Sequence, residues 1–138
     1  MTDYEIPNPP PKLYPHDRYS AILQYATLEI NKLAQLKGGE YAGDFDRLAN
    51  FRRNGQRLGV PMETVWAVYC NKHMDAILQF IQDSNTGVKR VRLEGLDGRA
   101  MDVMVYMTLF LAMLDEASPL PEVDKIMAAR RAVGAMEP

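Results

Sequence analysis

Asp102 is the residue from which chemistry can start. It stands inside a run from Ala100 to Leu114 that is otherwise almost wholly apolar, and it is the only acid between Asp97 and Asp115. Two stripes at helical spacing cross this run. One is Leu96, Ala100, Val103, Met107, Phe110 and Leu114; the other is Arg99, Asp102, Tyr106, Leu109 and Met113. A helix apolar around most of its circumference belongs in the middle of a packed bundle. A carboxylate there is costly unless a donor, a cation or a metal ion answers it. Two readings stand side by side: an Asp capped by Arg, Lys or Tyr side chains, and an Asp that binds a metal.

Other polar residues interrupt the helical patterns at a few places. They are Lys37-Gly-Gly-Glu40-Tyr41 with Asp44 and Asp46, then Asn50-Phe51-Arg52-Arg53, then Lys72-His73 with Asp75, then Glu94, Asp97, Arg99 and Asp102. Carboxylates mixed with Lys, Arg and His are what phosphate chemistry uses. Oxygen ligands hold Mg²⁺, bound divalent ions activate water, and cations hold the remaining phosphate oxygens. The same residues on amphipathic helices also serve as ordinary solvated faces. Walker-type loops and zinc-ligand spacings are absent. Cys70 and His73 are three apart on one helix, which core packing explains more simply than a catalytic pair.

The elements that must position these groups read as helices. Asp17 is placed to cap a first helix reaching Lys37, with Tyr19, Ile22, Leu23, Ala26, Ile30 and Leu33 as its stripe. Gly38-Gly39 breaks it. A second helix spans about 45–58 and ends at Gly59. Pro61 opens a third, reaching about Asp83, in which Met62, Trp66, Tyr69, His73 and Phe80 share the inward face. Residues 84–92 read as a loop whose Lys89, Arg90 and Arg92 are either solvated or part of a lid near phosphates. The helix of Asp102 follows and ends at Ser118-Pro119, before a short amphipathic helix at about 122–133. Residues 1–16 hold five of the nine prolines and form an extended arm. The expected architecture is all-α: an antiparallel four-helix-type bundle over 17–117, with the arm before it and a helical tail at 118–138.

Bulk composition narrows the classes. The chain of 138 residues fits one domain, and 16 basic against 18 acidic residues leave a net charge of −2. That balance argues against a nucleic-acid or anionic-membrane partner. A single cysteine excludes an internal disulfide. The apolar run is too short and too closely flanked by charge for a membrane span, and the first residues lack a secretory leader's apolar core, so a cytoplasmic location is expected. The Met-rich faces of the last two helices predict a homo-oligomer, a dimer or tetramer.

Taken in order, Lys37-Gly-Gly-Glu40-Tyr41-Ala42, Asp46-Arg-Leu-Ala-Asn50-Phe51-Arg52, Lys72-His73 and Glu94-Gly-Leu-Asp97-Gly-Arg99-Ala-Met-Asp102-Val-Met-Val-Tyr106 resemble the MazG-like all-α nucleoside triphosphate pyrophosphohydrolases, closest to their small phage-encoded branch. The resemblance spans about residues 20–115. It implies a helical bundle, usually oligomeric, that uses Mg²⁺ or Mn²⁺ to hydrolyse (deoxy)nucleoside triphosphates, dGTP or dATP among them, to monophosphate and pyrophosphate. It would place a phage-encoded protein in the host cytoplasm. It implies Asp102 as a metal ligand; Glu40, Asp46 and Asp97 are the further ligands expected, with Glu94 in reserve. Lys37, Lys72 and Arg99 are the implied phosphate contacts, and Asn50, His73 and Tyr106 supporting or base contacts. The chain departs from the family's paired pattern. It has no Glu-x-x-Glu, Arg99 stands where a Glu would precede Asp102, and its one Glu-x-x-Asp is Glu94–Asp97. That departure motivates the alternative of a non-catalytic nucleotide-binding or protein-interaction module on the same scaffold.

Overall fold

The structure, a computed structural model, describes residues 13–37 and 46–136. Its regular elements are five helices: α1 (His16–Lys37), α2 (Ala49–Leu58), α3 (Met62–Thr86), α4 (Leu96–Ala117) and α5 (Pro121–Met136). No strand occurs among the described residues. Most of the proline-rich arm, and the Gly38-Gly39 break with Glu40, lie outside them.

Local chemistry sets each boundary. Asp17 lies inside the first turn of α1, where its charge complements the helix N-terminus. Asp46 delays α2, which starts at Ala49 rather than near 45. The Asp46 Oδ1 accepts the Leu48 N–H at 2.9 Å, and its carbonyl accepts the Ala49 N–H at 3.2 Å, so the chain turns before it winds. Gly59 ends α2 at φ +68, and the Val60 N–H closes back on the Gly55 carbonyl at 3.0 Å. α3 runs past Asp83 to Thr86, because Gly87, at φ +72, is the first residue to reverse the chain. The expected loop at 84–92 is therefore a connection over 87–95. Pro121 opens α5 after the Leu120 N–H has bonded the Asp115 carboxylate at 2.8 Å.

α4 packs chiefly on α3, α2 lies on α3, and α1 lies on α4. Leu48, Phe51, Val65 and Met113 are the buried centre, flanked by Trp66, Tyr69, Tyr106 and Leu109. Trp66 ties two helices together. Its Nε1–H donates to the Tyr106 carbonyl at 2.7 Å while its ring lies 5.0 Å from Phe110. α5 turns 90° from α4 and packs closely on none of the other helices. No single described helix is long and apolar enough to cross a membrane, though α4 and α5 would pass that test as a bent pair.

The α2–α3 corner depends on Gly55. It is buried, and a Cβ there would meet the Val60 carbonyl at 2.8 Å and the Met62 nitrogen at 3.3 Å, both backbone atoms. Gly55→Ala is expected to destabilise the fold by about 1–3 kcal/mol, overriding alanine's better helix propensity. Urea unfolding followed by circular dichroism checks this; an unchanged or raised midpoint would refute it.

Candidate functional site

Helical spacing brings separate parts of the chain to one cleft of about 670 Å³. α1 contributes Asn31, Ala34 and Gln35; the turn and α2 contribute Arg47, Asn50 and Phe51; α3 contributes Tyr69, Lys72 and His73. The 87–95 connection contributes Glu94. α4 contributes Asp102, Val105, Tyr106, Thr108, Leu109 and Ala112. Within the α1, α3 and α4 sets each residue has another three or four positions away, so each set is one face. Arg47 closes the wall between α1 and α2, its guanidinium donating to the Ala34 carbonyl at 3.0 Å.

A polar chain runs along one side. Arg99 Nε lies 3.2 Å from Glu94 Oε2, Arg99 Nη1 lies 3.0 Å from His73 Nδ1, and that nitrogen lies 3.4 Å from Asp102 Oδ2. A guanidinium only donates, so the short contact makes His73 Nδ1 the acceptor. The imidazole also stands 5.3 Å from the Tyr106 ring. Asp102 and His73 are both nearly enclosed, with side chains 13% and 10% exposed. The inward direction expected of His73 is thus observed, and Asp102 lies beside this histidine, which Arg99 also contacts.

Of the expected metal ligands, Glu94 and Asp102 line the cleft, and Asp46 and Asp97 do not. Asp97 is exposed, five residues before Asp102 and about 140° away around α4 at 100° per residue. Asp46 is taken up by Arg52, which also donates to Glu116, and neither acid lines the cleft. The Leu48 N–H and the Arg52 guanidinium hold the Asp46 carboxyl below its usual range, and Arg52 does the same for Glu116. Glu94 and Asp102 share the cleft wall, with Arg99 in contact with Glu94 and His73. Glu40 lies outside the described residues. Among the described residues, no three of His, Cys, Asp and Glu are grouped to hold a metal ion. The described members of the expected set are therefore not all assembled around one point.

Of the expected contact residues, Asn50, Lys72, His73 and Tyr106 line the cleft, while Arg99 does not and instead contacts His73 and Glu94. Lys37 ends α1, and its side chain is outside what is described. Asn50 is partly committed within its own helix, its Oδ1 accepting from Asn54 at 3.0 Å. Burial pushes the Cys70 thiol up, which suits core packing and not a nucleophile.

Sequence reasoning missed Arg47, Asn31 and Gln35. The two amides lie four residues apart beside Ala34, but with Glu29 and Lys32 close by no pattern set them apart. It also missed Asp83, which continues the His73–Phe80 face by three residues and is buried. Arg90 and Arg92, expected to be solvated or over phosphates, are instead bonded to Asp83.

Compared with family models, curated proteins and solved structures, the chain matches none.

Proposed function

We propose that this chain binds a purine (deoxy)nucleoside triphosphate, dGTP or dATP, in the cleft between α1, α2, α3 and α4, used as a four-helix bundle, and hydrolyses it to monophosphate and pyrophosphate. One observation carries the reading. Asn50, Lys72, His73, Glu94, Asp102 and Tyr106, drawn from three separate sequence motifs, line a single cleft. Its volume of about 670 Å³ falls within the usual range for small-molecule sites. Lys72 and Arg47 can offset phosphate charge, the Tyr69 and Tyr106 rings can meet a base, and the Asn31 and Gln35 amides can hydrogen-bond its edge.

In this reaction a water oxygen attacks the α-phosphorus. The bond from that phosphorus to the bridging oxygen breaks, pyrophosphate leaves, and the water's proton passes to a base, for which Asp102 is the candidate. The resemblance also carries Mg²⁺ or Mn²⁺, on which the described geometry and the resemblance part. A cytoplasmic setting, with neither nucleic acid nor membrane as partner, belongs to the same proposal.

The second reading is a non-catalytic nucleotide-binding or protein-interaction module. It is favoured by Arg99, which stands where the family's Glu would be and bonds Glu94 and His73. Incubation with each dNTP in Mg²⁺ or Mn²⁺, with products resolved by ion-exchange chromatography, separates the two. Monophosphate and pyrophosphate in equal amounts from a purine dNTP are expected. No product from any nucleotide rejects the enzyme, and nucleotide-dependent thermal stabilisation without product then supports the second reading.

A further inference from the structure

His73 Nδ1 faces two groups that make opposite demands on it. Arg99 Nη1 lies 3.0 Å away and Asp102 Oδ2 lies 3.4 Å away. The second contact, taken by itself, reads as a His–Asp dyad with an Nδ1–H donating to the carboxylate. The first contact opposes that reading. A guanidinium offers only N–H groups and stays charged, so an Nδ1–H turned toward it would set proton against proton. The shorter contact is a hydrogen bond only when Nδ1 carries a lone pair. A neutral imidazole then bears its proton on Nε2, because the bond made by one ring nitrogen sets the state of the other.

The surroundings brace this arrangement. Arg99 Nε lies 3.2 Å from Glu94 Oε2, which leaves Nη1 for the histidine. The Tyr106 ring lies 5.3 Å from the imidazole at an interplanar angle of 37°. His73 is buried, so water has little part in choosing its tautomer. His73 and Asp102 line the cleft, whereas Arg99 does not.

We propose that Arg99 is a positioning residue that fixes the His73 proton on Nε2, so that His73 serves the cleft as a hydrogen-bond donor to a phosphate oxygen of the bound nucleotide and not as a base paired with Asp102. The phosphate acceptor rests on the nucleotide reading; the place of the proton does not. Asp102 is the candidate base for the water that attacks the α-phosphorus, and His73 is its neighbour, so the oxygens of that phosphate come to this part of the cleft. A donor there answers the charge that grows on them as the bond to pyrophosphate breaks.

Nitrogen-15 NMR of the full chain, labelled on its histidines, reads the tautomer directly. The chain has two histidines, His16 and His73, and His16→Gln removes one set of signals. Near neutral pH, His73 is expected to be protonated at Nε2 alone. Arg99→Lys, which can still donate, is expected to keep that pattern. Arg99→Ala is expected to move the proton to Nδ1, where Asp102 Oδ2 can accept it. An Nδ1–H on His73 with Arg99 in place overturns the proposal, and so does an Arg99→Ala protein with the unaltered pattern. The first of these results needs no change at the site, so the decision does not hang on how Arg99→Ala folds. The α,β-methylene analogue of dGTP, added with Mg²⁺, is then expected to shift the Nε2 resonance. An analogue that moves other signals of the protein and leaves Nε2 unmoved overturns the donor role. One that moves no signal at all defeats the nucleotide reading, and the phosphate acceptor falls with it, while the tautomer is decided by the first spectra.

Discussion

Asp102→Asn is expected to lower pyrophosphate release by roughly two to four orders of magnitude while leaving the helices folded. The substitution keeps the shape of the side chain and removes one charge and one proton acceptor. Asp102 is nearly enclosed and lies 3.4 Å from His73 Nδ1. An amide there can still hydrogen-bond, and Arg99 keeps its contact with Glu94. The melting temperature should therefore move by a few degrees at most, so a large loss of rate would report chemistry and not unfolding.

A purely structural carboxylate gives the opposite pattern. Its replacement would be neutral or stabilising, and turnover, if any, would persist. Melting curves titrated with Mn²⁺ on wild type and Asp102→Asn add an independent readout. If the carboxylate helps to bind a divalent ion, the wild type gains stability with metal and the variant gains less. Equal response of the two proteins removes Asp102 from any ligand set.

Replacing Arg90 and Arg92 together with alanine is expected to lower the melting temperature by roughly 10 °C, the largest stability effect foreseen outside the core. Asp83 is buried, with its side chain 4% exposed, and receives Arg90 Nε at 2.8 Å and Arg92 Nη2 at 3.2 Å. Gln79 adds a third donor at 3.0 Å. Arg92 also lies 4.9 Å above the Phe80 ring, so its removal costs packing as well as charge. Without the two guanidinium groups, a carboxylate remains enclosed with one amide for company. The Arg52 cluster is a useful contrast. Its three side chains are 38–43% exposed, and solvent screens them, so Arg52→Ala should cost far less.

The pH dependence follows from Arg90, whose hydrogen bond is the main cause holding the Asp83 carboxyl below its usual range near 3.8. A carboxylate with a depressed folded pKa adds stability that is fully present above its unfolded value. That stability is lost as pH falls through the folded value. Wild type should therefore shed this increment in acid below about pH 4, and the double variant should lack that part of its acid transition. Thermal melts between pH 3 and 7 decide the matter, and parallel curves for the two proteins would refute it.

Helix type and helix ends were largely legible from local chemistry. Gly59, Pro61 and Ser118-Pro119 mark boundaries that the structure retains, because capping and chain reversal depend on residues close in sequence. Other boundaries moved, and α5 ran on to Met136 rather than about 133. Asp46 bonded its own downstream backbone and shortened α2, and Gly87, not Asp83, ended α3. Periodicity also showed which way His73 points, since a helix fixes the angle between its own residues. The same angle already separated Asp97 from Asp102.

What periodicity does not contain is the identity of the element facing each stripe. The sequence alone determined a helical chain with His73 on an inward face and Asp102 on an apolar helix. Only the tertiary structure decided that Asp102 lies beside His73, that Arg90 and Arg92 fold back onto Asp83, and that α1 leaves its first turns bare. The first pairs helices distant along the chain, the second folds a connection back by seven and nine residues, and the third is a question of how far one helix reaches past another. Burial and charge balance there depend on contacts across space, which residue spacing along one helix cannot specify.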